Sequence, residues 1–397
     1  MKLAKRVGRI SPSPTLSITA EAKALAARGV DVIDFASGEP DYDTPLPIKD
    51  AGIAAIRNGF TKYTPVAGID ELKSAVVDKL RRDQGLTYEK SQILISCGAK
   101  HTLYNLAQAL FEAGDEVVIP SPYWVSYPDQ VLLNDATPVL VPTSEATGFR
   151  LTGELLERHV TDRTKAVIVN SPGNPTGSMY ERRTLEGIAE AALRHGFLII
   201  SDEIYEKLLY DGLAHVSIAS LGAEVQARTV VVNGVSKAYS MTGWRIGYAA
   251  GPQELIAAMA TVQSQSTSNP NSIAQKAAVT ALQQGEPFIK EMVTEFDNRR
   301  RFMVERLNKI PGIHCAMPNG AFYAFPHVGS LVGRRSPNGP ITSGAGLAAY
   351  FLQEARTATV PGEAFGAPDH IRFSYAIGMQ KIIEGLDRIE AAVRRLT

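Results

Sequence analysis

Short apolar runs alternate with longer helical patterns through the middle of the chain. Gln92 to Ser96, Glu116 to Ile119, Pro138 to Val141, Ala166 to Asn170, Phe197 to Ser201 and Thr229 to Asn233 all have strand length and end near turn residues. Helical patterns separate several of them, including one that opens at Gly98-Ala99-Lys100 and runs to about Glu112. Strands alternating with helices predict an α/β fold, a mainly parallel sheet with helices on both faces. Ligands gather beyond the carboxyl ends of the strands in such a sheet.

The flanks read differently. An alanine-rich helix spans Ser17 to Gly29, a short strand Asp31 to Phe35 leads into Ala36-Ser37-Gly38-Glu39-Pro40-Asp41, and a further helix runs from Ile69 towards Asp83. From about Glu254 to Leu307 the pattern is helical, with interruptions near Ser268-Asn269-Pro270-Asn271 and Gly285-Glu286-Pro287. Asn319 to Phe325 reads as a turn and strand, Ile371 to Tyr375 as a strand, and the chain from about Gln380 as an amphipathic helix. Arg334 to Pro340 reads as a loop. These segments predict a smaller α+β domain formed by residues 1–44 and 286–397, beside a large domain of residues 45–285.

A chain of 397 residues is long for one hydrophobic core, which agrees with two domains. Lysine plus arginine and aspartate plus glutamate both total 41, so net charge offers no argument for nucleic acid or an acidic membrane surface. Cys97 and Cys315 lack metal-ligand spacing and suggest no disulfide framework. The basic N-terminus is followed by Ser11-Pro12-Ser13-Pro14 and not by an apolar signal core, and no run is long enough to span a bilayer. The expectation is a cytoplasmic protein without a metal site.

The candidate chemistry centres on Asn233 to Tyr248. Small residues bring the backbone from the apolar run at Thr229 round to Ser236 and Lys237, and Arg245 follows. A lysine beside a buried strand loses hydration and becomes a usable amine nucleophile, whereas an arginine stays charged and suits a phosphate. An isolated pair of this kind is ordinarily a surface lysine and a structural arginine. Other strand ends supply what pyridoxal phosphate needs: Lys237 for its aldehyde, and Asp202 to keep its ring nitrogen protonated. The helix start at Gly98, Ala99 and Lys100, with Ser236 and Arg245, suits its phosphate. Asn174 and Tyr205 suit its phenolic oxygen. Taken singly, Asp202 also reads as a cap or turn residue, Asn174 as an Asn-Pro turn and Tyr205 as packing.

The motifs SPYWVSYP, SPGNPTG, SDEIYE and SKAYSMTGWRIGY, between ASGEPD near the start and HIRFSYA near the end, resemble the class I and II aminotransferases in order and spacing. The resemblance covers essentially the whole chain. It implies a fold-type I pyridoxal-phosphate enzyme with a seven-stranded, mainly parallel sheet. In that pattern Lys237 matches the Schiff-base lysine, Asp202 the partner of the pyridinium nitrogen, and Asn174 and Tyr205 the groups on the phenolic oxygen. Trp124 matches the residue stacked on the ring, Arg372 the arginine gripping the substrate α-carboxylate, and Gly38 a backbone contact to it. Tyr63 resembles the tyrosine that reaches the phosphate of a neighbouring subunit, which implies a homodimer.

Among these enzymes, Lys100 with Ser13 and Thr15 resembles the bacterial aspartate group, where a lysine at this site helps bind an acidic side chain. The implied reaction is L-aspartate with 2-oxoglutarate to oxaloacetate and L-glutamate. Relatives that accept prephenate often carry a lysine where this chain has Ser11, and aromatic or prephenate transamination is the nearest alternative. A β-eliminating or C–S lyase would share every cofactor contact. A nicotinamide enzyme lacks support because no Gly-x-Gly-x-x-Gly follows a strand.

Overall fold

The apolar runs form strands, joined by one more that their pattern did not announce. In the computed structural model, which describes all residues except Lys2, Ser13 and Asn338 and the side chain of Leu16, the strands are β1 (Ile93–Ser96), β2 (Glu116–Ser121), β3 (Thr137–Pro142), β4 (Thr164–Asn170), β5 (Leu198–Asp202), β6 (Thr229–Gly234) and β7 (Gly247–Ala250). They form one sheet in the order β1-β7-β6-β5-β4-β2-β3. All neighbours are parallel except β7, which runs antiparallel to both β1 and β6. The sheet is therefore mainly parallel and seven-stranded.

Why these runs become strands is visible in what each face buries. Val230 and Val232 enter one core with Leu94, Ile168 and Ile200, while Val231 enters another with Ile93 and Ile95 on the opposite face. Burying each such side chain contributes roughly 1.5–3 kcal/mol. Strand β7 escapes a hydrophobic-pattern reading because Gly-Tyr-Ala-Ala has no β-branched residue. Close approach selects it instead: a Cβ on Gly247 would lie 2.2 Å from the Ala99 amide nitrogen. Only glycine lets β7 press the start of the helix Ala99–Leu110 against the end of β6.

Beyond the sheet, the helical stretch breaks as its punctuation predicts, into Gln253–Ser264, Ser272–Gln284 and Glu286–Leu307. Asn271 caps the second by accepting from the Ala274 amide at 2.9 Å. The third buries Phe296, Met303 and Leu307 against the C-terminal block. There β8 (Tyr323–Ala324), β9 (Val360–Pro361) and β10 (Ile371–Ser374) form an antiparallel sheet in the order β9-β10-β8. The N-terminal segment joins this block, since Ile33–Asp34 pairs in parallel with Thr357–Ala358. Arg334 to Pro340 is more ordered than a loop: Arg335–Ser336 and Gly339–Pro340 pair as a two-stranded hairpin. Among the described residues no helix is long and apolar enough to cross a membrane.

Phe296 is fully buried, with its ring centroid 5.8 Å from that of Phe322, 5.9 Å from Tyr42 and 6.4 Å from Tyr375. Phe296→Ala should lower the unfolding free energy by about 3–5 kcal/mol, measured as a fall in the urea midpoint with little change in slope.

Candidate active site

Three strand ends open into one cavity of about 400 Å3. β5 ends at Asp202, β4 at Asn170, and the turn after β6 carries Ser236 and Lys237; all four residues line it. The loop Ala36 to Glu39 closes one side, Trp124 and Lys100 another, and Tyr205, Tyr323 and Arg372 a third. Thr15 also lines it, from the helix Pro14–Ala27.

Lys237 is partly buried, and its amine donates to the Gly38 carbonyl. Burial holds its pKa down from 10.5 to about 8, against an opposing pull from Glu39. Nearby Arg372 and Arg245 add to the depression. Asp202 shows the complementary effect. Burial raises its carboxyl to about 6, while a hydrogen bond from the Tyr127 hydroxyl at 2.7 Å and one from the Ile204 amide at 3.2 Å favour the ionised form.

Arg372 is buried and reaches the cavity from β10. Its Nη1 donates to Asn174 Oδ1 at 2.9 Å and its Nη2 to the Ala36 carbonyl at 2.7 Å, while its buried Nε has no hydrogen-bond partner. Asn174 is held from behind, its amide donating to Asn170 Oδ1 at 2.9 Å. Asn170 in turn donates to the Asp202 carbonyl at 3.0 Å.

At the opposite end, the amides of Ala99 and Lys100 precede the first returns of the helix, which run from His101 and Thr102 to the Gly98 carbonyl at 2.9 and 3.1 Å. Arg245 lies directly over Gly98, where a Cβ would come within 2.4 Å of the guanidinium. This end is an anion site in form, a helix start with an arginine across it. Lys100 stands at the rim with its ammonium 5.0 Å from the Trp124 ring centroid; partial desolvation and Arg245 lower its pKa.

The structure thus brings Lys237, Asp202, Asn174, Tyr205, Ser236, Trp124, Gly38, Arg245, Arg372, Ala99, Lys100 and Thr15 to one cavity, with Gly98 against its edge. Tyr63 stays apart, 91% exposed and outside that lining. Ser13 lies outside the described residues. Sequence reasoning missed Tyr127, Asn170 and Tyr323. Tyr127 lay within SPYWVSYP, three positions beyond Trp124 and in the first turn of the helix Ser126–Leu132, and Asn170 closes a strand already recognised. The signals were present but looked like packing.

A family model for aminotransferase class I and II matches residues 30–389. The chain belongs to this family. The aminotransferase is 50% identical to an aspartate aminotransferase of Geobacillus stearothermophilus over 100% of this chain and 98% of that protein. It is 46% identical to an aspartate/prephenate aminotransferase of Nitrosomonas europaea, covering 98% and 99%. Its fold matches the crystal structure of an aspartate aminotransferase from Rhizobium meliloti with a TM-score of 0.96 and 45% identity, over the full length of both chains. A Thermus thermophilus aspartate aminotransferase with maleate gives a TM-score of 0.93 and 41% identity, covering 99% of this chain and 100% of that one.

The depressed Lys237 amine carries a stability signature in the ligand-free aminotransferase. Below pH 8 both folded and unfolded states hold the proton, and the folded state bears the cost of a desolvated charge; above 10.5 both are neutral and the cost is gone. Lys237→Met should therefore be more stable than the parent below pH 8 by on the order of 3 kcal/mol. The gap should close as pH rises from 8 to 10.5, which denaturant titrations across that range would show.

Proposed function

We propose that this aminotransferase exchanges an amino group between L-aspartate and 2-oxoglutarate, yielding oxaloacetate and L-glutamate, with pyridoxal 5'-phosphate held in the cavity. The observation that carries the reading is that Arg372 and Lys100 line the same cavity as Lys237, so two cations are available to a substrate with two carboxylates. The maleate in the Thermus thermophilus relative is likewise a dicarboxylate.

The residues fit that cofactor. The helix start at Ala99 and Lys100, with Ser236 and Arg245, would hold its phosphate. Gly98 leaves the Arg245 guanidinium the space that a side chain would take. Asp202 would face the ring nitrogen, Trp124 the ring plane, and Asn174 and Tyr205 the phenolic oxygen. Bound, pyridoxal phosphate supplies a carbonyl that takes up the amino group and a ring that spreads the electrons of the breaking α-C–H bond.

Each residue then has a definite task. Lys237 would hold the cofactor through its amine, and the same amine, when free, is the group placed to accept the substrate's α-proton, its pKa lowered by burial to about 8 in the ligand-free protein. Asp202, titrating at about 6, is mostly ionised at pH 7 and favours a protonated ring nitrogen. Tyr127 fixes its orientation. Arg372 grips the α-carboxylate with the N–H groups not engaged by Asn174 and Ala36, and the Gly38 backbone borders the same place. Lys100, with Thr15 in the same cavity lining, would meet the distal carboxylate.

A homodimer completes the reading. The helix Leu46–Arg57 leaves Leu46, Ile53 and Ile56 exposed, and Tyr63 projects just beyond it. Such an apolar face calls for a partner, and a second copy would cover it while receiving Tyr63 at its phosphate site. We further assign residues 45–285 to the cofactor-binding domain and residues 1–44 with 286–397 to the smaller one. The free Cys97 and Cys315 accord with a reducing, cytoplasmic setting.

Purified protein loaded with pyridoxal phosphate and given L-aspartate, L-glutamate or L-phenylalanine separately tests the reading. Aspartate should convert the cofactor to pyridoxamine phosphate and release oxaloacetate. Conversion by phenylalanine alone would move the enzyme to the aromatic group, and ammonia with pyruvate would make it a lyase. Prephenate, tested alongside, asks whether the activity of the Nitrosomonas europaea relative is shared.

Arg372→Lys should lower kcat/KM for aspartate by roughly 100- to 1,000-fold, because a point charge replaces the bidentate fork. Lys100→Met should instead lower the preference for aspartate over phenylalanine by about tenfold, since loss of one charge partner costs about 1.4 kcal/mol. Steady-state kinetics with both substrates separate the two effects.

A further inference from the structure

Tyr323 has no place in the functional account above, yet it touches two of its principal residues. It is fully buried on β8 and lines the cavity. Its hydroxyl lies 2.8 Å from the Tyr205 hydroxyl. The Arg372 guanidinium sits 4.4 Å above its ring centroid, a cation–π distance. The Tyr205 and Tyr323 rings meet edge-on at 79° and 5.8 Å, so the two side chains brace one another.

We propose that Tyr323 is a positioning residue that joins the carboxylate-gripping arginine to the tyrosine on the cofactor's phenolic oxygen, its ring seating Arg372 and its hydroxyl donating to Tyr205. The inference rests on the functional reading given above. The direction of the hydrogen bond follows from proton accounting. Tyr205 has one proton, and serving the phenolic oxygen spends it there. The Tyr205 oxygen is then left as an acceptor, and Tyr323 is the donor 2.8 Å away.

Donation into a hydroxyl strengthens that hydroxyl as a donor in turn. Tyr323 thus reinforces the bond from Tyr205 to the cofactor without touching the phenolic oxygen itself. Lys237, Asp202 and Arg372 are the other charged groups around Tyr205: the Lys237 amine stands 5.9 Å from its ring centroid, and Asp202 and Arg372 both act on it electrostatically. None of them occupies the donor position that Tyr323 fills.

A hydroxyl deletion separates the two halves of the role. Tyr323→Phe keeps the ring under Arg372 and removes only the donor to Tyr205. A weaker Tyr205 bond leaves more negative charge on the phenolic oxygen, so the conjugated lysine-linked nitrogen holds its proton more tightly. The pH midpoint of the cofactor absorbance in the dimeric holoenzyme should therefore move upward by about half a unit. Tyr205→Phe should move it further in the same direction, and adding Tyr323→Phe to that variant should produce no further shift. Tyr323→Leu, which removes the ring as well, should also raise KM for aspartate severalfold.

An unchanged midpoint in Tyr323→Phe would overturn the proposal, and so would a shift that persists undiminished on the Tyr205→Phe background, because Tyr323 would then act independently. If the parent protein develops no lysine-linked absorbance with pyridoxal phosphate, the functional reading falls and this inference with it. A normal parent spectrum with an unmoved Tyr323→Phe midpoint sinks the inference alone.

Discussion

An amine kept partly out of water is the constraint around which the molecule is arranged. Lys237 would rather be hydrated and charged, and burial brings its pKa down to about 8. Few neutral contacts tolerate such a group. The Gly38 carbonyl accepts a hydrogen bond from it, and Asp202 and Glu39 offset the two arginines that oppose its charge. Position therefore matters more than identity: a lysine elsewhere on the surface would titrate near its ordinary value and carry no comparable chemistry.

That position is produced by the sheet. Parallel strands deliver their carboxyl ends to one edge, so Asn170, Asp202 and the turn after β6 meet there although they are far apart in sequence. Aligned peptide units at the helix start of Ala99 add partial positive charge where an anion would lie. The antiparallel β7 serves a packing purpose, since its glycine lets that helix start approach the lysine turn. Electrostatics and close packing thus specify the same small volume.

Much of this was legible in the chain. The strand ends at Asp202 and Asn233, the helix start at Gly98 and the arginine at 372 each combined a periodicity with a residue of definite chemistry. What stayed hidden lacked one of the two. β7 has little strand character because a close approach, and not side-chain burial, determines its glycine. Tyr127 and Tyr323 look like ordinary core aromatics in one dimension, and only the fold reveals that their hydroxyls meet Asp202 and Tyr205. The exposed Tyr63 is the converse case, a residue that the motif pattern singled out and that the fold leaves outside the cavity lining. The Arg335–Pro340 hairpin has too short a run for pairing to show in periodicity.

The pairing of Ile33–Asp34 with Thr357–Ala358, followed by the bonds from Ser374 to Phe35 and from Arg372 to Ala36, ties together segments that lie far apart in sequence, on either side of the central sheet's strands. On a ribosome the early segment emerges long before its partners exist. The wall carrying Gly38 must wait, incompletely packed, until Thr357 to Ser374 have been made. A chain interrupted before Thr357 would thus hold every strand of the central sheet yet leave the wall carrying Gly38 without its pairing partners, so closure of the cavity reports that two segments remote in sequence have met.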